Sequence, residues 1–106
     1  MEARVVIVAY KPKTGKQEPL QSLMKRHLSV LQEQNLATDW PSIRMEAKDG
    51  TIIEVFEWKS VTAMKQAHTK PVILKMWEKY AEVCDYIPIQ QVQEAGNLFS
   101  EFSPFN

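Results

Sequence analysis

Large apolar side chains occur on both faces of two predicted β-strands, and this feature limits most strongly what the chain can fold into. The two segments are RVVIVAY at residues 4–10 and TIIEVFEW at residues 51–58. Both are rich in β-branched residues, and successive side chains of a strand point to opposite faces of its sheet. Each large aliphatic side chain left in water forgoes about 1.5–3 kcal/mol of burial free energy. A sheet that contains these strands therefore needs cover on both faces.

The remaining segments predict helices and strands in the order β-α-β-β-α-β. One helix should begin near Pro19 and end at Asn35; another should begin after Ser60 and restart or kink at Pro71. The apolar stripe of the restarted segment comprises Ile73, Met76, Trp77, Tyr80 and Cys84. Strands are predicted at 4–10, 40–47, 51–58 and 86–93. This order predicts an α+β, ferredoxin-like fold with a four-stranded antiparallel sheet.

Asp49-Gly50 is the strongest hairpin signal, and it predicts a two-residue loop between the two middle strands. With that loop, Met45 lies opposite Glu54. The side facing the helices then comprises Glu54, Ile43, Met45, Ile52, Phe56 and Trp58. The other side comprises Glu57, Arg44, Glu46, Ile53 and Val55, which predicts an ion pair between Arg44 and Glu57. Because Glu54 and Glu57 point to opposite faces, they cannot act as a paired acid and base of the glycosidase type.

Two helices cover only one face of such a sheet, so the second face needs another cover. An identical sheet related by a two-fold axis is the simplest one. We therefore expect a homodimer in which two sheets form a dimeric α+β barrel with the helices outside. The barrel domain is predicted to span residues 1–93, and residues 94–106 form a tail that packs on its own or the partner subunit. The apolar side chains of this tail are Leu98, Phe99, Phe102 and Phe105.

The composition argues against several classes of protein. Thirteen basic and thirteen acidic residues leave no net positive charge for nucleic acid, and the longest apolar run, VVIVAY, is far too short to span a membrane. No signal peptide is recognised and a single cysteine forms no internal disulfide, so we expect a cytoplasmic protein. The three glycines form no phosphate-binding loop, and HxxxH and CxxC spacings do not occur. We therefore predict no cofactor and no metal.

The candidate catalytic residues are His68, Glu54 and His27. His68 follows Met64 by one turn and should point inward, where an imidazole serves as a general base or caps the helix end. His27 lies on the apolar stripe of the first helix, and a buried imidazole needs a polar partner, for which Glu54 is the natural candidate. A pair between Glu54 and either histidine is equally consistent with a structural role. A metal site built from the same three residues is the less favoured interpretation.

Five aromatic side chains are predicted either to form core or to line a pocket for a flat apolar ligand. They are Phe56, Trp58, Trp77, Tyr80 and Tyr86. Cys84 lies on the same helical stripe as Tyr80, and no basic residue near it in sequence would activate its thiol. We therefore interpret Cys84 as a small buried hydrophobic residue.

The element order and two short motifs resemble the dimeric α+β barrels of the antibiotic-biosynthesis-monooxygenase-like branch. The motifs are WKS at 58–60, where a strand leads into a helix, and AHTKPVI at 67–73, a histidine followed by a helix that begins at a proline. The likeness covers roughly residues 4–93. It implies a homodimer with one small cavity per subunit between sheet and helices. The activities it implies are those of cofactor-independent oxygenases of polyketide-like aromatics, quinol oxygenases and haem-degrading enzymes.

Haem degradation is not implied for this chain. The haem-degrading members have an asparagine, a tryptophan and a haem-ligating histidine where this chain has Val8, Ala67 or His68, and Trp77. The leading interpretation is a cofactor-independent monooxygenase in which His68, helped by Glu54 or His27, deprotonates a small aromatic or quinol-type substrate. An isomerase or decarboxylase would use the same base without oxygen. The alternative from another class is a non-catalytic dimer that binds a small hydrophobic ligand or a partner protein.

Overall fold

The computed structural model describes residues 2–105, which form three α-helices and a five-stranded antiparallel sheet. The elements are β1 (Arg4–Pro12), α1 (Gln17–Glu33), β2 (Ile43–Glu46), β3 (Ile52–Trp58), α2 (Val61–Ala67), α3 (Pro71–Val83), β4 (Cys84–Ile87) and β5 (Ser103–Pro104). Across the sheet the strands are ordered β4-β1-β3-β2-β5. The fold is α+β, as the sequence predicts, and the arrangement of β1 to β4 is compatible with a ferredoxin-like fold.

The helix boundaries follow the expected local signals. Asn35 adopts φ 62°, and the backbone turns back so that the N–H of Leu36 donates to the carbonyl of Leu31 at 2.9 Å. Ser60 caps α2 because its Oγ accepts a hydrogen bond from the N–H of Ala63 at 3.0 Å. Pro71 occupies the first turn of α3, where its missing N–H is harmless. No helix among residues 2–105 is both long enough and apolar enough to cross a lipid bilayer.

The last predicted strand and the last predicted helical turn are both shifted in the structure. Helix α3 ends at Val83, and Cys84 is extended with φ −151° and begins β4. β4 ends at Ile87, and residues 88–93, predicted to be strand, instead run through two 3₁₀ turns at Ile89–Gln91 and Gln93–Gly96. Pro88 has no N–H to extend the ladder, which accounts for the early end of the strand.

A fifth strand, which the sequence does not signal, lies in the apolar tail. Ser103 pairs with Glu46 and Pro104 with Met45, and the N–H of Phe105 donates to the carbonyl of Arg44 at 2.9 Å. The predicted count of four strands was therefore wrong. The sequence could not signal the fifth strand, because two residues that include a proline show no alternation of apolar and polar side chains.

The hairpin between β2 and β3 has a three-residue loop rather than the predicted two-residue loop. The N–H of Ala47 donates to the carbonyl of Thr51 at 2.8 Å, and Gly50 at the end of the loop has φ +91°. One extra loop residue shifts the register by one, so Met45 lies opposite Ile53 and Arg44 lies opposite Glu54. The β2 side chains therefore face the opposite sides from those predicted.

This register removes the predicted ion pair between Arg44 and Glu57. Arg44 lies on the helix-facing side, where its guanidinium donates to the carbonyl of Met24 at 3.1 Å. Glu57 lies on the other side, where its Oε1 accepts a hydrogen bond from Oγ1 of Thr38 at 2.8 Å. Both charged side chains thus have polar partners other than each other.

The second face of the sheet is covered at one end only. There, residues of the 3₁₀ turns and the tail pack on the sheet in a cluster formed by Ala9, Ala47, Ile53 and Val92 with Met45, Ile87, Ile89, Ala95 and Phe102. At the other end, Val5, Ile7 and Ile43 are 58%, 54% and 59% exposed. We call these three side chains, with the neighbouring Val55 and Trp40, the open apolar end of the sheet.

Candidate functional site

A pocket of about 260 Å³ opens between the helix-facing side of the sheet and the helices. Its walls come from β1, β3 and β4, from α1 and α3, and from the end of α2. The lining side chains are Val8, Tyr10, His27, Phe56, Trp58, His68, Trp77 and Tyr86. Six of these residues were selected from the sequence as candidate site residues. We call this cavity the aromatic pocket.

Larger open space exists elsewhere on the surface. A groove of about 600 Å³ runs beside the tail, and its walls include the carboxylates of Glu46, Glu94 and Glu101. The groove is also lined by Phe99 and Phe102, but no histidine is among its lining residues. The chemistry of the chain is therefore concentrated in the smaller cavity.

Glu54 lies behind the wall of the pocket and holds two of the residues that line it. Its side chain is fully buried on β3, and Oε1 accepts a hydrogen bond from the hydroxyl of Tyr10 at 2.9 Å. The same oxygen lies 2.8 Å from Nδ1 of His27, which is 4% exposed. The His27 and Glu54 atoms are at ion-pair distance but are not aligned as a hydrogen bond, and Oε2 of Glu54 has no hydrogen-bond partner among residues 2–105. The structure thus pairs Glu54 with His27.

Tyr10 is the site residue that sequence reasoning missed. In the register between β1 and β3, Val8 lies opposite Glu54 and Tyr10 opposite Ile52, so Tyr10 is a diagonal neighbour of Glu54 on the same face. The alternation of β1 places Tyr10 on one face with Val8. The contact with Glu54, however, depends on the register of two strands that are distant in sequence, which no local signal fixes.

His68 occupies a different environment from His27. It follows α2 at the mouth of the aromatic pocket, its side chain is exposed, and its ring lies 5.1 Å from that of Trp77. Its backbone N–H donates to the carbonyl of Lys65 at 3.2 Å, as a helix-ending residue does. Among the described residues no carboxylate lies within ion-pair distance of His68. Of the two predicted histidine partners for Glu54, His27 is therefore the one that is present.

The predicted aromatic residues divide into a wall and a second layer. Phe56 and Trp58 lie on the same face of β3 with ring centroids 5.2 Å apart, and the rings of His27 and Phe56 form a T-shaped contact with centroids 5.6 Å apart. Tyr80 does not line the pocket. Its ring lies behind Tyr10 and His27, and its hydroxyl donates to the carbonyl of Leu23 at 2.8 Å.

The three tyrosines of the site remain protonated over the ordinary pH range. Burial, followed by the charge and hydrogen bond of Glu54, raises the pKa of Tyr10 well above its usual range. Burial, followed by the charge of Glu54, raises the pKa of Tyr80, and burial also raises the pKa of Tyr86. The Tyr10 hydroxyl is therefore a hydrogen-bond donor to Glu54.

Within the described residues 2–105, neither a nucleophilic thiol nor a group of metal-binding side chains is found near the pocket. Burial, followed by the charge of Asp85, raises the pKa of Cys84 to about 11, so its thiol is protonated at neutral pH. Among residues 2–105, no group of three or more His, Cys, Asp or Glu side chains is close enough to hold a metal ion. Among the side chains that line the pocket, the two imidazoles are the groups suited to accept a proton from a ligand, since the hydroxyls of Tyr10 and Tyr86 remain protonated.

Compared with known proteins, the chain matches no family model, no curated protein and no solved structure. The resemblance to the monooxygenase-like barrels rests on the two short motifs and the element order alone.

Proposed function

We propose that the protein is a cofactor-independent monooxygenase-like enzyme that acts on a small aromatic or quinol-type substrate in the aromatic pocket. The observation that carries this proposal is the convergence of two histidines and an aromatic wall on one cavity, with a buried carboxylate behind one histidine. At about 260 Å³ the cavity lies just below the usual range for drug-sized ligands. The proposed substrate therefore has one or two rings.

His27 is the general base in this proposal. Its Nδ1 meets Glu54, which leaves Nε2 as the nitrogen available to a ligand. The nearby carboxylate stabilises the imidazolium that forms when His27 accepts a proton. His68, at the exposed mouth of the pocket, contacts the outer edge of the substrate. This assignment differs from the sequence-based one, in which His68 was the base, because Glu54 contacts His27.

The reaction needs no electrons beyond those of the substrate and oxygen. For a quinol, His27 accepts a phenolic proton, and the electron-rich anion attacks O₂ at a ring carbon. One oxygen atom remains on the ring as a hydroxyl group, the other leaves as water, and the ring is oxidised to the hydroxyquinone. Quinol plus O₂ thus gives hydroxyquinone plus water, with atoms and electrons balanced. An apolar wall favours this step by excluding water from the reactive anion.

The proposal includes a two-fold dimer. The open apolar end of the sheet exposes Val5, Ile7 and Ile43, each more than half accessible in the single chain. These residues lie on the face opposite the aromatic pocket, so a second copy could cover them without closing the pocket.

A non-catalytic protein that binds a small hydrophobic ligand is the second candidate. It is favoured by the apolar character of the pocket wall and by the lack of a carboxylate partner for His68 among the described residues. The two candidates share the ligand class and differ in whether oxygen is consumed.

Binding is tested first by tryptophan fluorescence. Two of the three tryptophans, Trp58 and Trp77, line the pocket, whereas Trp40 is 68% exposed on the other side of the sheet. A bound quinone or naphthol should quench the fluorescence of a Trp40→Phe variant as strongly as that of the wild type. The same ligand should quench a Trp77→Phe variant less. Equal quenching in all three proteins would place binding outside the aromatic pocket.

Catalysis is tested by oxygen uptake with the quinols and naphthols that bind. His27→Ala should lower the rate about 10²–10⁴-fold, as loss of a general base does. Glu57→Gln, a change on the opposite face of the same strand, serves as the control and should leave the rate unchanged. Ligands that bind without consuming oxygen would favour the non-catalytic candidate, and an equal rate in His27→Ala would remove His27 from the mechanism.

A further inference from the structure

The hydroxyl of Tyr10 is linked to the imidazole of His27 through Glu54, and the two rings also meet at an angle of 75° with their centroids 6.0 Å apart. The Tyr10 hydroxyl donates to Oε1 of Glu54 at 2.9 Å, and the same oxygen lies 2.8 Å from Nδ1 of His27. Tyr10 is 1% exposed, and Glu54 is fully buried. The three side chains come from β1, β3 and α1, so the contact joins three separate elements.

An ionised carboxylate accepts hydrogen bonds and cannot donate them. Its contact with Nδ1 of His27 is therefore favourable only when that nitrogen carries a proton. In a neutral imidazole one nitrogen is a donor and the other an acceptor. A proton held on Nδ1 leaves the lone pair on Nε2, the nitrogen that a base must offer to a ligand.

We propose that Tyr10 is a positioning residue, whose hydroxyl fixes the Glu54 carboxylate so that His27 keeps its proton on Nδ1 and offers Nε2 to the pocket. Without the hydroxyl, Oε1 loses its donor, and Oε2 already has no partner among residues 2–105. The carboxylate then has no remaining fixed hydrogen bond to hold it against His27. This inference rests on the proposed function for the role of Nε2 as the atom that accepts the substrate proton. The tautomer of His27 itself can be measured without substrate.

The experiment is nitrogen NMR of the imidazole rings at about pH 8, above the ordinary pKa of a histidine. The chain has two histidines, so a His68→Gln variant assigns the His27 signals. In the wild type we expect the neutral ring of His27 to carry its proton on Nδ1. In Tyr10→Phe the ratio of the Nδ1-protonated to the Nε2-protonated form should fall about fivefold, the effect expected of one lost hydrogen bond.

Tyr80→Phe is the matched control. It also removes a buried hydroxyl and its hydrogen bond, and its ring lies 5.4 Å from that of His27. Because that hydroxyl bonds the carbonyl of Leu23 rather than Glu54, the tautomer ratio of His27 should not change. A fall of the same size in Tyr80→Phe would assign the effect to general loosening of the core and overturn the inference.

Three further outcomes would overturn the inference. The first is a wild-type His27 ring that carries its proton on Nε2, and the second is a ring that keeps both protons at this pH. In neither case does Nε2 have a free lone pair. The third is a tautomer ratio of His27 that is the same in Tyr10→Phe as in the wild type. If Tyr10→Phe does not fold, the wild-type spectrum still tests the predicted tautomer. None of these results depends on oxygen uptake, so failure of the proposed reaction is distinguishable from failure of the Tyr10 assignment.

Discussion

Glu54 is a fully buried carboxylate on a central strand, a position that is unfavourable unless its charge is compensated. Tyr10 and His27 together supply that compensation at Oε1. Replacing one member of a buried group of this kind leaves the others without a partner, which is more damaging than losing a surface contact. The polar centre of the site is therefore also a determinant of stability.

Glu54→Gln should lower the free energy of unfolding by about 2 kcal/mol, because the charged acceptor for Tyr10 is lost together with the carboxylate at ion-pair distance from His27. The matched control is Glu57→Gln, three residues along the same strand. Glu57 is only partly buried and accepts a hydrogen bond from Thr38, so its replacement should have an effect below about 1 kcal/mol. Urea denaturation of the three proteins measures both changes. Equal losses would contradict a special role for the Glu54 group.

Cys84 gives a prediction for alkaline solution. Burial, followed by the charge of Asp85, raises the pKa of Cys84 from 9.0 to about 11. Between these values the unfolded chain loses the thiol proton while the folded chain keeps it, so the free energy of unfolding falls as the pH rises. Between pH 9 and pH 11 the free energy of unfolding of Cys84→Ala should fall by about 1–2 kcal/mol less than that of the wild type. Chemical denaturation at several pH values tests this. Parallel curves would contradict the buried-thiol assignment.

How far single residues can be predicted from sequence is seen in His27 and Tyr10. His27 lies at helical spacing on an apolar stripe and needs a polar partner once buried, so Glu54 follows from elementary reasoning. Tyr10 looks like an ordinary strand residue in a run of valines. Its contact with Glu54 arises from the register of β1 against β3, a long-range property that the local pattern does not contain.

At the scale of elements, one loop residue decides which side chains of β2 face the helices. The dipeptide Asp49-Gly50 correctly predicts the hairpin, but the same dipeptide also occurs in three-residue loops that end in a left-handed glycine. Oδ1 of Asp49 accepts the N–H of Thr51 at 2.9 Å, and this bond stabilises the longer loop and lowers the pKa of Asp49. The hairpin was predictable, whereas its register was not.

Gly50→Ala should destabilise the protein by about 1–2 kcal/mol. Gly50 has φ +91°, where an L side chain is strained, and an added Cβ would lie 2.8 Å from Nε2 of Gln17. The end of Gln17 can move aside, so backbone strain is the larger part of the effect. Gly96→Ala is the control, because nothing lies within 4 Å of its Cβ position and its φ is not positive. A thermal or urea midpoint lowered equally in both variants would refute the argument.

At the scale of the whole molecule, the tail changes what a second subunit can cover. The sequence predicts that the entire second face of the sheet needs an external cover. In the structure, Val92 and Phe102 already pack over Ala9 and Ile53 at one end of that face. The open apolar end remains exposed on this face, so a two-fold contact would be centred near Val5, Ile7 and Ile43 and offset from the middle of the sheet.

Sedimentation velocity at tens of micromolar tests this contact. We expect the wild type to sediment as a dimer and Ile43→Lys to sediment as a monomer, since a buried unpaired charge at the centre of an interface is strongly unfavourable. Val72→Lys is the matched control: Val72 is 45% exposed on α3, on the helix side of the sheet, so this variant should remain dimeric. A monomeric wild type would refute the proposed dimer. If instead Val72→Lys were monomeric and Ile43→Lys remained dimeric, the interface would lie on the helices. The second subunit would then approach the side on which the aromatic pocket opens.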